Sequence, residues 1–243
     1  MSLLVVHGLS KRFGGLCAVR DLGFEVSAGS IHGVIGPNGA GKTSLFNLLT
    51  GFLPADRGSV RLAGTELLGR RPHAIARLGL ARSFQLARPF AGLTALETLM
   101  LPLGRPGRCE GEAEQRARAA ELLDKLGLSH KADTLSEWLN QGELRLLDIG
   151  RALASGPRLL LLDEPFSGLG TQAVHRVVQC LRERREAGDT TLIIEHRLRE
   201  LMPLIDRALV INFGARLAEG TPQAIAADEQ VIEAYLGRPG AQA

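Results

Sequence analysis

With 243 residues and 45% hydrophobic content, the chain is long enough for one large domain or two closely joined lobes around a substantial core. A formal net charge of +3 is too small to point to nucleic acid, and the densest basic cluster, Arg182, Arg184 and Arg185, is interleaved with Glu183 and Glu186 as on a solvated helix face. No apolar run nears the roughly 20 residues that span a bilayer, the N-terminus lacks a signal peptide's hydrophobic stretch, and Cys17, Cys109 and Cys180 form no metal-ligand or disulfide pattern, which predicts a soluble intracellular chain.

In chain order, short aliphatic runs predict strands at 3–7, 22–26 and 30–35. The last leads straight into Gly36-Pro37-Asn38-Gly39-Ala40-Gly41-Lys42-Thr43, a complete phosphate-binding loop of the form G-x-x-x-x-G-K-[ST]. Its three glycines let successive backbone N–H groups point inward at phosphate oxygens, Lys42 brings a point charge to the outer phosphates, and the Thr43 hydroxyl is a Mg²⁺ ligand. A helix over 43–50, with Ser44 in its first turn, turns its positive N-terminus to the same anion.

After a strand at 59–62, the stretch 87–140 reads as mostly helical, interrupted by Pro102-Leu103-Gly104-Arg105-Pro106-Gly107. The pattern predicts a helical lobe inserted between two parts of an α/β core, 1–86 and 141–243, within one domain. Leu159-Leu160-Leu161-Leu162 suits a parallel strand buried on both faces and runs into Asp163-Glu164. Open α/β sheets bind ligands at that end of a strand, so Asp163 can hold Mg²⁺ and Glu164 can orient or deprotonate an attacking water; the competing reading is a helix cap.

Val174, Val177, Val178 and Leu181 give the next helix its apolar stripe. A strand at 190–195 then brings His196 to the same carboxyl edge, 33 residues beyond Asp163, where an imidazole can hydrogen-bond phosphate or water and hold Glu164; alone, it would be an ordinary helix-start histidine. Strands at 208–212 and 215–218, a helix opened by Thr221-Pro222, a helix over 228–236 and a frayed 237–243 complete the chain.

The order of these motifs resembles the ATP-binding subunits of ABC (ATP-binding cassette) transporters over nearly the whole chain. In that resemblance Ala81-Arg82-Ser83-Phe84-Gln85 stands at the Q-loop, with Gln85 touching Mg²⁺ and water and sensing a transmembrane partner. Leu139-Asn140-Gln141-Gly142-Glu143 occupies the place of the LSGGQ signature, Ser167-Gly168-Leu169-Gly170 that of the D-loop, Ile194-Glu195-His196 that of the switch histidine, and Phe13 that of the aromatic ring on adenine. The implied fold is a P-loop NTPase (RecA-like) core with an N-terminal antiparallel β region and an inserted α-helical lobe. The implied cofactors are ATP and Mg²⁺. Phe13, Gly36 to Ser44, and Asn140, Gln141, Gly142 and Glu143 would bind nucleotide; Thr43, Gln85 and Asp163 would hold the metal; Glu164, His196 and Gln85 would serve catalysis. Two such cassettes pack head to tail, each ATP lying between one subunit's loop and the other's signature helix, so that ATP joins the dimer and hydrolysis releases it.

Asn140, Gln141 and Glu143 depart from the signature's serine, first glycine and glutamine, Glu143 adding negative charge near a nucleotide, and Gly170 replaces the D-loop's usual Asp or Asn. The segments Lys11 to Leu16, Ala218 to Pro222 and Val231 to Gly237 resemble the ATPases of branched-chain amino-acid importers and related amide or urea importers. This implies a second ATPase subunit, either a different chain or a second copy of this one, transmembrane permease subunits, a periplasmic solute-binding protein, no nucleic acid, and a place on the inner face of the cell membrane. An exporter's ATPase and a non-hydrolysing regulatory cassette are the other readings. No residue encodes the transported molecule.

Overall fold

A computed structural model describes residues 1–84, 88–104 and 111–236. The chain opens with a long hairpin, β1 (Ser2–Phe13) and β2 (Leu16–Ser27), followed by β3 (Ile31–Ile35), α1 (Lys42–Leu49), β4 (Arg57–Leu62), β5 (Thr65–Glu66), α2 (Pro72–Arg77) and β6 (Leu80–Arg82). A helical stretch follows: α3 (Ala95–Leu103), α4 (Glu112–Leu126), two short 3-10 turns, and α5 (Gln141–Ala154). The chain then returns through β7 (Leu159–Asp163), α6 (Thr171–Glu186), β8 (Thr190–Ile194), α7 (Leu198–Leu201), β9 (Arg207–Asn212), β10 (Ala215–Gly220), α8 (Pro222–Ala226) and α9 (Glu229–Leu236).

Two sheets result. The order β2-β1-β4-β5 is antiparallel, and β10-β9-β3-β8-β7-β6 is parallel apart from β10. The leucine run is buried on both faces as its composition predicts. Leu160 and Leu162 join the core under α3, α4, α5 and α6, while Leu159 and Leu161 join the core shared with α1 and the first sheet. Leu45, Phe46, Leu48 and Leu49 fill the space between the two sheets, which fixes the axis of α1 and the direction in which its N-terminus points.

The hairpin runs well beyond the predicted 3–7 and 22–26. Gly8, Lys11 and Arg12 break the apolar pattern of β1, but the ladder with β2 continues through register shifts to the Phe13–Leu16 pair. β5 and β6 are too short to leave a periodic signal. Within the helical stretch, α5 packs on α3 and α4 through Gly150, where a Cβ would come within 2.8 Å of Leu126 and 3.2 Å of Leu99. Cys17 and Cys180 are free thiols. Among the described residues no helix is long and apolar enough to cross a membrane.

Candidate nucleotide and catalytic site

The phosphate loop joins β3 to α1, and two of its glycines are required by space as well as conformation. A Cβ on Gly36 (φ 153°) would lie 2.0 Å from the Ile211 carbonyl oxygen, and one on Gly41 (φ 102°) would lie 2.2 Å from that of Ala18. The far side of the loop is fastened by Gly214, whose N–H donates to Ala40 O (2.9 Å) and whose carbonyl accepts from Arg20 N–H (2.7 Å). Asn38 and Gly39 are exposed and Pro37 half-buried. The buried Lys42 ammonium donates to the carbonyls of Gly36 (2.7 Å) and Pro37 (2.9 Å). Burial lowers its pKa, and the charges of Glu164 and Asp163 oppose that shift. Thr43 is exposed and Ser44 half-buried in the first turn of α1.

Sheet order brings the remaining groups to this edge. β8 lies between β3 and β7, so the residues that follow it stand between the phosphate loop and the acidic end of β7. Asp163 is buried, and its Oδ2 accepts from Arg82 at 2.7 Å. The other Arg82 nitrogen donates to Asn47 Oδ1 of α1 (2.7 Å), and the guanidinium lies over the rings of Phe46 and Phe84 at 5.5 and 5.3 Å. Asp163 Oδ1 is buried without a hydrogen-bond partner. A buried carboxylate oxygen in that condition, beside the hydroxyl-bearing start of α1, fits a Mg²⁺ ion that takes one carboxylate and completes its shell with phosphate and water.

Glu164 has φ 50°, a left-handed conformation that costs a non-glycine residue of order 1–3 kcal/mol and concentrates at functional positions. Its N–H is held by the Ile194 carbonyl (2.8 Å), and its Oε1 meets His196 Nε2 at 2.8 Å. The two candidate catalytic side chains are therefore in direct contact.

Phe13 is 48% exposed at the tip of the β1–β2 hairpin, which reaches the loop through Ala18 and Arg20. Asn140, Gln141, Gly142 and Glu143 form the N-terminus of α5. Asn140 Oδ1 accepts from Glu143 N–H (2.9 Å) and a Glu143 carboxylate oxygen accepts from Asn140 N–H (2.9 Å), a reciprocal capping box, and Lys131 stands 3.5 Å from the same carboxylate. The negative charge expected to disturb a nucleotide is thus turned back onto its own helix. Gln85 lies outside the described residues.

Two groups that sequence reasoning left without a role emerge here. Arg82, which the sequence presents only as part of a motif, is the counter-ion of Asp163. Arg145 and Asp148 grip the backbone of Phe84 from α5: Asp148 Oδ2 accepts its N–H (2.8 Å) and Arg145 donates to its carbonyl (2.7 Å). Burial raises the Asp148 pKa, opposed by Arg151, the Phe84 N–H and Arg145. The available signal was a pair of charges three apart, falling among the buried leucines of α5.

The family model described as ABC transporter matches residues 19–167, and one described as branched-chain amino acid ATP-binding cassette transporter matches residues 215–241. The chain is 39% identical to the high-affinity branched-chain amino acid transport ATP-binding protein BraF of Pseudomonas aeruginosa, over 97% of this chain and 98% of that protein. It is 36% identical to the lipopolysaccharide export system ATP-binding protein LptB of Escherichia coli, over 98% of each. Among solved structures it resembles the ADP conformation of an ATP-binding cassette of an ABC transporter, with a TM-score of 0.82 and 31% identity over 98% of this chain and 100% of that one.

Proposed function

This chain belongs to the ABC transporter family, and from that membership we propose that it is the ATP-hydrolysing subunit of an importer for branched-chain amino acids or a related small polar solute. The observation that carries the catalytic half is the 2.8 Å contact between Glu164 and His196 at the sheet edge where the phosphate loop and Asp163 end. The match of residues 215–241 and the likeness to BraF support the importer.

In this reading the loop N–H groups and Lys42 hold the phosphates, and Phe13 carries adenine on the hairpin tip. The Glu164 carboxylate takes a proton from the attacking water while His196 keeps that carboxylate aimed. Mg²⁺, when bound, would neutralise phosphate charge; Thr43 and Asp163 would hold it, with Gln85 as a further ligand. Asn140 to Glu143 serve the nucleotide of a second cassette, a different chain in this proposal.

Residues 87–140 are the moving lobe between the core segments 1–86 and 141–243. A groove of about 520 Å³, lined by Phe52, Phe84, Phe90, Leu101 and Pro102 among others, adjoins the peptide that precedes Gln85. Its exposed aromatic rings suit a short apolar helix of a permease subunit, which would hold the chain on the cytoplasmic face of the membrane. A periplasmic solute-binding protein completes the assembly.

The test is ATP-driven uptake of leucine by vesicles carrying the chain with its permease and binding-protein partners. Lys42→Ala should abolish both ATP binding and uptake. A likeness to LptB of 36% favours a second reading, an exporter's cassette, and ATP turnover coupled to export, with no uptake of leucine, an amide or urea, would select it.

A further inference from the structure

Glu195 sits between the last residue of β8 and His196, and it is 2% exposed. Its Oε1 accepts the Phe166 N–H at 2.8 Å, while Oε2 accepts the N–H groups of His196 (2.6 Å) and Arg197 (3.1 Å). The first donor belongs to the loop leaving β7, two residues past Glu164, and the other two to the loop leaving β8. Three N–H groups divided over its two oxygens account for how a carboxylate is tolerated at this depth.

Arg197 reaches back the opposite way. One guanidinium nitrogen donates to the carbonyls of Phe166 (3.2 Å) and Leu169 (3.1 Å), and the other pairs with Glu200 (2.7 Å). Both backbone polar groups of Phe166 are therefore bonded by the segment that carries His196. Gly170 has no side chain with which to fasten the same loop; these contacts add to the buried Phe166 and Leu169 side chains and to the loop's own bonds from Ser167 N–H to Glu164 O (3.1 Å) and from Leu169 N–H to Phe166 O (3.2 Å). A plain cap on α7 would need only the local donors, and the Phe166 bond across two strands is additional to it.

We propose that Glu195, backed by Arg197, is a positioning residue that fixes the Glu164–His196 separation and locks it to the loop 166–169. Loop and base then move as one unit. The inference rests on the reading of Glu164 as the base and extends it to the residues that aim it.

The test compares full-length variants assembled with their membrane partners, by ATP turnover and by equilibrium binding of a fluorescent ATP analogue. Glu195→Gln keeps the shape but turns an NH₂ group toward backbone N–H groups. It should lower kcat by about tenfold to a hundredfold through misplacement of the base, with KM for ATP and analogue affinity held within about twofold. In a Glu164→Gln background it should cause no further loss, because there is no base left to misplace. Arg197→Lys should show the same pattern more weakly, and it decides the matter if Glu195→Gln does not fold. Wild-type kcat in the folded variants, an equal loss of affinity and turnover, or a further loss in the Glu164→Gln background would each overturn the proposal. Wild-type turnover by Glu164→Gln itself would remove the base assignment and the proposal with it, whereas a slow Glu164→Gln beside an unaffected Glu195→Gln would sink this inference alone.

Discussion

Asp163 divides two duties between two oxygens. Oδ2 is tied to Arg82, and Oδ1 is buried, unpaired and available to a cation. Arg82 thereby links the acid to α1 through Asn47, and deleting one partner of such a buried pair costs about 3–5 kcal/mol. Another buried ring carries a pH dependence. His32 on β3 is 5% exposed, and its pKa is lowered from 6.5 to about 4 by burial first and then by the Arg207 charge, with Asp206 opposing. The folded value lies below the unfolded one, so the unfolded chain binds the proton first as pH falls. Stability is therefore lost between pH 6.5 and about 4, by about 3 kcal/mol in total. Denaturant unfolding at pH 7 and pH 5 should show a smaller loss for His32→Leu than for wild type, and parallel losses would contradict this account.

Among the elements, α5 gathers the largest number of roles. Its N-terminus carries Asn140 to Glu143, its middle grips Phe84 through Arg145 and Asp148, and Gly150 lets it lie close against α3 and α4. The two bonds from Asp148 and Arg145 tie this helix directly to the backbone of Phe84. The capping box predicts that Asn140→Ala lowers stability by about 1 kcal/mol, measured by the denaturant midpoint, while Glu143→Gln, which keeps an acceptor at the same place, costs less. Equal losses in the two variants would argue against the reciprocal cap. The family resemblance, and not periodicity, placed a helix after the signature segment, whereas composition alone made β7 legible because four leucines need two buried faces. β6 escaped because three residues carry no period, and the grip on Phe84 escaped because it joins residues 61 and 64 positions apart. The phosphate loop and Asp163-Glu164 were proposed from residue type and spacing, while His196 entered with the family resemblance and spacing only set it at the same edge. The Arg82 pairing and the Glu195 bonds were not legible, since each depends on which strands become neighbours.

Across the whole molecule, the parallel order β3-β8-β7 turns three distant segments into one edge. The loop after β3 offers N–H groups and Lys42, β7 ends in Asp163 and Glu164, and β8 delivers His196 onto Glu164. The helical stretch between β6 and β7 interrupts the sheet's connectivity without disturbing that edge, because β6 and β7 still pair through Leu80–Leu159 to Arg82–Leu161. A nucleotide held there lies within reach of groups tied both to the exposed groove beside Phe84 and to the loop 166–169. In the proposed reading, binding energy at the phosphates would move the lobe, as a ligand-driven switch requires. Glu164 is the proposed base at this edge, and the decisive comparison is ATP turnover beside ATP binding in the assembled transporter, wild type against Glu164→Gln. Binding should be retained with turnover slowed by about two to four orders of magnitude; wild-type turnover, or a loss of binding equal to the loss of turnover, would rule Glu164 out.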